Sequence, residues 1–142
     1  MKSIIIFYLL CFAFVDAFAQ NSENTCEGKQ DSILHKFVYT KVDEAPEPVD
    51  GFLKINEVIT KNLKLPPSTN YYGLTIIVFV VEADGQIDGQ RVKRDPSGDE
   101  HLLGNQILRN IATLKWKPGK CNGKPVPCMY SIPINLDPSL SE

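Results

Sequence analysis

The chain has 142 residues, of which 43% are hydrophobic and 23% are charged, and its formal net charge at pH 7 is −2. This composition is that of an ordinary globular protein, and the length suits about one domain. Because neither sign of charge dominates, nothing indicates a nucleic-acid partner or attachment to an acidic membrane surface.

The first 19 residues have the pattern of a secretory signal. Lys2 is followed by an almost wholly apolar run from residue 4 to residue 15, and the segment ends in Ala17-Phe18-Ala19. A basic start, a short apolar stretch and small residues before the cleavage point are typical of such signals. We therefore expect cleavage after Ala19 and a periplasmic or secreted mature chain. The alternative is an uncleaved anchor in the inner membrane, formed by residues 3–19.

Residues 20–41 are polar and show no sustained periodicity, so we interpret them as a mobile lead-in. Ala45-Pro46-Glu47-Pro48 follows, and it should be extended because each proline disfavours helical backbone in the residue before it. We expect the folded domain to span residues 42–137, with residues 138–142 as a short tail.

Two segments have the three-and-four spacing of apolar residues that predicts an amphipathic helix. The first has Asp50 as its predicted N-cap, and Pro66-Pro67 forbids its continuation past Leu65. The second follows a loop in which Ser97 and Asp99 can serve as caps, and Trp116 after it is expected in the core. The apolar positions are Phe52, Ile55, Ile59 and Leu63 in the first helix, and Leu103, Ile107, Ile111 and Leu114 in the second.

Three segments predict strands. Residues 74–81 are apolar almost throughout and rich in β-branched side chains, which indicates a strand covered on both faces. Asp84-Gly85 favours a two-residue type I′ turn into a more polar strand over residues 87–94. Residues 129–136 alternate apolar and polar side chains, and Pro133, which has no N–H group, places this last strand at an edge or at a bulge.

The order helix, strand, strand, helix, strand predicts an α+β fold of two layers. The simplest arrangement is a three-stranded antiparallel sheet in the order 2-1-3, with both helices on one face. The last strand would then have a free edge.

Several motifs, taken in order, resemble the C-terminal domain family of TonB in its Bacteroidetes-type form. Residues 78–87 are similar to the hairpin of that family, and residues 52–66 to its first helix. The sharpest likeness is Lys115-Trp116-Lys117-Pro118-Gly119, followed by Asn122-Gly123-Lys124-Pro125 and then Ile132-Pro133-Ile134-Asn135. The resemblance runs from Val42 to Leu136.

The resemblance implies a non-enzymatic binding module without a cofactor. Its partner would be an envelope protein, such as an outer-membrane transporter, that adds an extended segment to the last strand. TonB itself joins a membrane anchor to this domain through a long proline-rich spacer. Here only about 25 residues separate Ala19 from Ala45, at most roughly 85 Å, so energy transduction does not follow. The expected partner contacts are Met129, Tyr130, Ser131, Ile132, Ile134 and Asn135.

Two other interpretations stay open. The inward alternates of the last strand can simply be core residues, in which case binding is mostly by backbone. The second function class is a structural or self-associating envelope protein, which forms a homodimer through the edge strand or through Cys26. An enzyme is not indicated, because neither His35 nor His101 has a catalytic partner placed by sequence and the chain has no glycine-rich phosphate loop.

The mature chain keeps Cys26, Cys121 and Cys128, in a compartment that permits disulfides. Cys121 and Cys128 flank the turn-rich segment 122–125, so we predict that they pair. That disulfide would close a loop of about 8 residues and contribute roughly 2.5 kcal/mol. The alternative is two free thiols, with no metal site because no histidine lies nearby in sequence. Cys26 is left as a free thiol or as one that pairs with another molecule.

Overall fold

The computed structural model describes residues 25–64, 72–98 and 100–136. The predicted signal segment and the tail after residue 137 lie outside these residues. In the described ranges no helix is long and apolar enough to cross a membrane. The helices are α1 (Phe52–Asn62) and α2 (Leu102–Ile111), and the strands are β1 (Glu27–Gln30), β2 (Phe37–Lys41), β3 (Glu47–Pro48), β4 (Gly73–Val81), β5 (Ile87–Arg94), β6 (Trp116–Lys117), β7 (Gly119–Cys121), β8 (Lys124–Val126) and β9 (Cys128–Leu136).

Five strands form the main sheet, in the order β1-β2-β9-β4-β5, while β3 pairs with β6 and β7 with β8 in two small sheets. All neighbours in the main sheet are antiparallel except β2 and β9, which run parallel. The predicted three-stranded antiparallel sheet is therefore wrong. β5, β4 and β9 do lie side by side, but two further strands from the segment expected as a lead-in extend the sheet beyond β9.

Both helices pack on one face of this sheet, and their apolar positions meet β4 there. Trp116 lies beneath them and is only 4% exposed, with its ring centroid 5.1 Å from Phe79 and 5.4 Å from Tyr130. We call this set the helix-side core. It consists of Ile55, Ile59, Ile77, Phe79, Val81, Ile107, Ile111 and Trp116.

The two helices begin differently from what the sequence predicts. Gly51, with φ of 82°, is the N-cap of α1, and no side chain caps it, so the expected cap at Asp50 is wrong. Phe52 is 52% exposed rather than buried. The N-cap of α2 is His101, so the expected cap at Ser97 is wrong as well, although the Ser97 hydroxyl accepts the Leu103 N–H at 3.3 Å from outside the helix. Asp99, the other expected cap, lies outside the described residues.

The turn between β1 and β2 lies on the opposite face of the sheet. Asp31 in this turn accepts the backbone N–H groups of Ile33 and Leu34 at 2.9 and 3.0 Å and the Arg91 guanidinium of β5 at 2.7 Å. The Leu34 side chain lies against Gly89, also on β5. This cover accounts for the burial of apolar side chains that are outside the helix-side core, namely Val38, Val78 and Val80.

Asp31 makes the stability of this turn depend on pH. The Leu34 N–H, with smaller contributions from the Ile33 N–H and Arg91, holds the pKa of Asp31 below its usual value, although burial acts in the opposite direction. A carboxyl group whose pKa is lower in the folded chain stabilises the fold above its unfolded pKa of about 3.9. That contribution is lost as the pH falls through the folded pKa.

We therefore expect Asp31→Asn to lower the free energy of unfolding by about 2 kcal/mol at pH 7, because hydrogen bonds to a charged group are lost. The difference from the unaltered protein should shrink below about pH 4, where Asp31 of the unfolded chain becomes protonated while Asp31 of the folded chain is still charged. Urea unfolding at several pH values from about 2 to about 7, on both sides of the ordinary pKa of an aspartate, measures both effects. Asp50→Asn at an exposed position is the control. A difference that stays constant over this range would contradict the role of the Asp31 charge.

Candidate functional site

β9 is paired with β4 along its whole length. The register runs from Cys128 opposite Val81 to Leu136 opposite Gly73, with no shift between them. Because successive residues of a strand direct their N–H and C=O groups to opposite sides, β4 uses the backbone groups of every second residue of β9. The remaining residues direct their backbone groups to the other side of the strand.

β2 covers only the beginning of that other side. A single bridge joins Tyr39 to Cys128, and the Tyr39 N–H donates to the Pro127 carbonyl at 2.9 Å. The chain then turns away towards β7, where the N–H groups of Asp43 and Glu44 donate to the Lys120 carbonyl at 3.0 and 3.2 Å. Among residues 25–64, 72–98 and 100–136, no strand pairs with β9 on this side beyond the single bridge.

The bond from Tyr39 identifies which backbone groups of β9 face outward. Since Pro127 faces β2, the alternation places positions 131, 133 and 135 on the same side. Ser131 and Asn135 present both an N–H and a C=O group there, and Pro133 presents a C=O group alone. We call the outward backbone groups of residues 131–135 the outer edge of β9.

Pro133 fits this arrangement because its missing donor falls on the outer side. It stands opposite Ile76 in an uninterrupted register, so no bulge is needed to accommodate it. The sequence expectation of a free edge on the last strand thus applies to the second half of β9, whereas β2 contacts the first half.

The side chains of β9 divide between the two faces of the sheet. Tyr130, Ile132 and Ile134 are half-buried against the helix-side core, as the core interpretation expects. Ser131, Pro133 and Asn135 are exposed on the other face, and Met129 is half-buried. The structure therefore places all six expected contact residues on one strand, but only two of them, Ser131 and Asn135, are exposed with outward backbone donors.

The edge is electrically neutral. β9 contains no acidic or basic side chain, and burial raises the pKa values of the Cys128 thiol and the Tyr130 hydroxyl. An extended segment can therefore pair with the outer edge without removing a charged group from water, which would oppose binding. The chemistry that this site supports is backbone hydrogen bonding.

The cysteines are arranged differently from the prediction. Cys26 forms a disulfide with Cys121, with 6.0 Å between the Cα atoms, and Cys128 is a buried free thiol. The predicted Cys121–Cys128 disulfide is wrong because the β7–β8 hairpin sets Lys124 opposite Cys121, while Cys128 continues into β9. No periodicity in the segment around Cys26 signals that it returns to the fold.

Asp43 lies beside the disulfide and completes the one group of metal-ligand type in the described part of the chain. The sulfur atoms of Cys26 and Cys121 and a carboxylate oxygen of Asp43 lie within 4.8 Å of one another. Because the two sulfur atoms are bonded to each other, they are not thiolate ligands in this structure. The Asp43 carboxylate instead accepts the Asn122 N–H at 2.7 Å and the Thr25 hydroxyl.

Within the described residues, the second half of β9 thus combines an uncharged strand with backbone groups that no neighbouring strand uses, and strand addition of an extended protein segment requires such groups. Residues 68–137 match the model of the family described as Gram-negative bacterial TonB protein C-terminal. This confirms the resemblance found in the sequence. No curated protein matches the chain significantly.

The family match also gives the setting of the domain. Domains of this family are non-enzymatic parts of energy transducers, lie in the bacterial envelope and interact with envelope proteins such as outer-membrane transporters. The matched segment begins at residue 68. It therefore includes β4, β5, α2 and β9, whereas the β1–β2 hairpin and α1 precede it.

Proposed function

We propose that this protein is an exported envelope binding module that engages a protein partner by strand addition at the outer edge of β9. The observation that carries the proposal is the outward backbone of residues 131–135. These residues belong to β9, whose other side is fully paired with β4. Strand addition supplies affinity through such main-chain hydrogen bonds. The family match favours an outer-membrane transporter as the partner.

The side chains beside the edge suggest what the partner segment contains. Alternate residues of an added strand would lie next to Ile132 and Ile134, which are half-buried on the helix side of the sheet. Apolar residues two positions apart in the partner would bury the remaining exposed surface of these isoleucines, and such cross-strand pairs contribute roughly 0.2–1 kcal/mol each.

We expect Ser131→Pro to reduce partner capture by about tenfold or more while the domain stays folded. Proline removes the outward Ser131 N–H, which β4 does not use, and its ring obstructs an approaching strand. Ile132→Pro is the matched control, because the Ile132 N–H faces β4 and its loss should unfold the sheet. Capture from the native envelope with residues 20–142, together with circular dichroism and thermal melting, tests both variants. Undiminished capture by folded Ser131→Pro would refute strand addition here.

The Cys26 disulfide and the missing N–H group of Pro133 both disfavour the self-associating alternative. Cys26 is bonded to Cys121, so it is not available for a disulfide between two copies. If two outer edges paired antiparallel about Pro133, the two prolines would face each other, and neither has an N–H group to donate. A hetero-partner with its own N–H opposite Pro133 avoids this loss.

Export is the part of the proposal that concerns residues 1–19. Because the signal ends in Ala17-Phe18-Ala19, mass spectrometry of the native protein is expected to show a chain that begins at Gln20. An intact Met1 in the membrane fraction would instead establish the anchored alternative. This measurement is independent of what the domain binds.

A further inference from the structure

The side-chain contacts that hold β1 in the sheet are exposed to solvent: the Lys41 ammonium pairs with the Glu27 carboxylate at 2.9 Å, and the Thr40 hydroxyl donates to the Glu27 carbonyl at 3.4 Å. β1 is a strand of four residues that pairs, among the described residues, only with β2, and none of its residues is buried. A register shift between Glu27 and Gly28 interrupts even this ladder. A strand that buries no apolar side chain gains little from the hydrophobic effect, and its backbone hydrogen bonds contribute only modestly against water.

The two ends of β1 are held much more firmly than its middle. Cys26, directly before the strand, is bonded to Cys121, and the neighbouring Thr25 hydroxyl donates to Asp43. At the other end the chain enters the turn in which buried Asp31 binds Arg91. The disulfide is thus the covalent attachment of an otherwise weakly held strand.

β2 beneath it does not depend on this attachment. Val38 is fully buried, and Tyr39 donates its N–H to Pro127 on the opposite side from β1. Phe37-Val38-Tyr39-Thr40 consists of aromatic and β-branched residues, which favour strands. Because Tyr39 faces β9, the N–H groups of Val38 and Thr40 face β1, and they become a free edge when β1 leaves.

We propose that the Cys26–Cys121 disulfide is a redox latch, and that its reduction by a dithiol releases β1 from the edge of β2. This edge is separate from the outer edge of β9, so the inference does not depend on the proposed function.

The reduction proceeds by thiol–disulfide exchange in two steps. One thiolate of the dithiol attacks the sulfur of Cys26, which is half-buried, whereas Cys121 is 7% exposed. The sulfur–sulfur bond breaks, and Cys121 leaves as a thiolate that takes up a proton. The second thiolate of the reductant then displaces the Cys26 sulfur, which is protonated in turn, and the reductant becomes a disulfide after giving up two electrons and two protons.

Nuclear magnetic resonance of the mature chain, with and without dithiothreitol, tests the latch. Cross-strand contacts between Lys29 and Val38 are expected in the oxidised protein and absent after reduction, while those between Phe79 and Tyr130 remain. Cys26→Ser should behave as the reduced protein without any reductant, which excludes effects at Cys128. Persistence of the Lys29–Val38 contacts would overturn the latch. Loss of the Phe79–Tyr130 contacts would also overturn it, because the disulfide would then support the whole fold.

Discussion

Cys26→Ser is expected to lower the free energy of unfolding by about 4 kcal/mol. The disulfide joins residues 95 positions apart, so it removes far more freedom from the unfolded chain than a bond across the Cys121–Cys128 turn would. Release of β1 in the altered protein returns some freedom to the native state as well, which keeps the effect below the full value for so long a loop. A single domain with a stability of roughly 5–15 kcal/mol would lose a large part of it.

Urea unfolding followed by circular dichroism measures this loss, with and without a reductant. Cys128→Ser is the matched control, because Cys128 is a free thiol and the altered protein keeps both the disulfide and its sensitivity to reduction. If Cys128→Ser abolished the sensitivity to reductant and Cys26→Ser did not, the pairing seen in the structure would be wrong and the Cys121–Cys128 bond would replace it.

Trp116→Ala is expected to cost about 3–5 kcal/mol of stability, since truncation of a buried tryptophan leaves a large cavity. Trp116 packs edge-on against Phe79 and also contacts Tyr130, so the loss reaches both β4 and β9. The backbone of Trp116 also packs closely against another segment of the chain. The Trp116 carbonyl lies so close to Gly85 that a side chain at residue 85 would collide with it.

Two further variants are compared with Trp116→Ala: one keeps an aromatic ring at residue 116, and the other removes an exposed aromatic ring elsewhere. The indole N–H of Trp116 has no hydrogen-bond partner among the described residues, so Trp116→Phe should cost much less than Trp116→Ala. Phe52→Ala removes an aromatic ring that is 52% exposed and should change stability by less than about 1 kcal/mol. Thermal and urea unfolding compare the three. A Trp116→Ala variant as stable as Phe52→Ala would contradict the assigned core.

The helix-side core is predictable from the sequence because its signal is local. Ile55, Ile59, Ile107 and Ile111 recur at helical spacing, and the apolar strand over residues 74–81 needs cover that these two helix faces provide on one side. Phe52 is exposed although it fits the same spacing, because it is the first residue of α1. Periodicity identifies the face of a helix better than it identifies where the helix begins.

The β1–β2 hairpin is not predicted from the sequence because it is stabilised by contacts with residues that are distant in the chain. Its strands are short, and its supports are Arg91, the parallel neighbour β9 and a disulfide to a residue 95 positions away. Cysteine spacing alone does not determine which cysteines pair. The resemblance that the sequence carries also begins after this hairpin, at Val42.

The type I′ turn predicted after β4 is wrong as well. A type I′ turn requires positive φ at two central residues, but only Gly85 has it. The Gly85 N–H donates to the Glu82 carbonyl and the Glu82 N–H to the Gln86 carbonyl, which makes a three-residue loop. Glycine is needed here because of the nearby Trp116 carbonyl, a contact between distant parts of the sequence.

The binding edge itself is half predictable. Pro133 and the alternation of residues 129–136 indicate an edge strand, but β9 is the third of five strands, and among the described residues only its outer side beyond Cys128 is without a neighbour. What the sequence does not reveal is that β2 pairs with the start of the same strand. The two halves of β9 therefore differ in what they can bind.

Site-specific photo-crosslinking in the native envelope tests strand addition at β9 most directly. A photoreactive residue would replace Asn135, which is exposed beside the outer edge of β9, or Gln90, which is exposed on β5 at the far edge of the sheet. We expect position 135 to give an adduct with an outer-membrane protein and position 90 to give none. Crosslinking to that protein from position 90 but not from position 135 would contradict binding at β9.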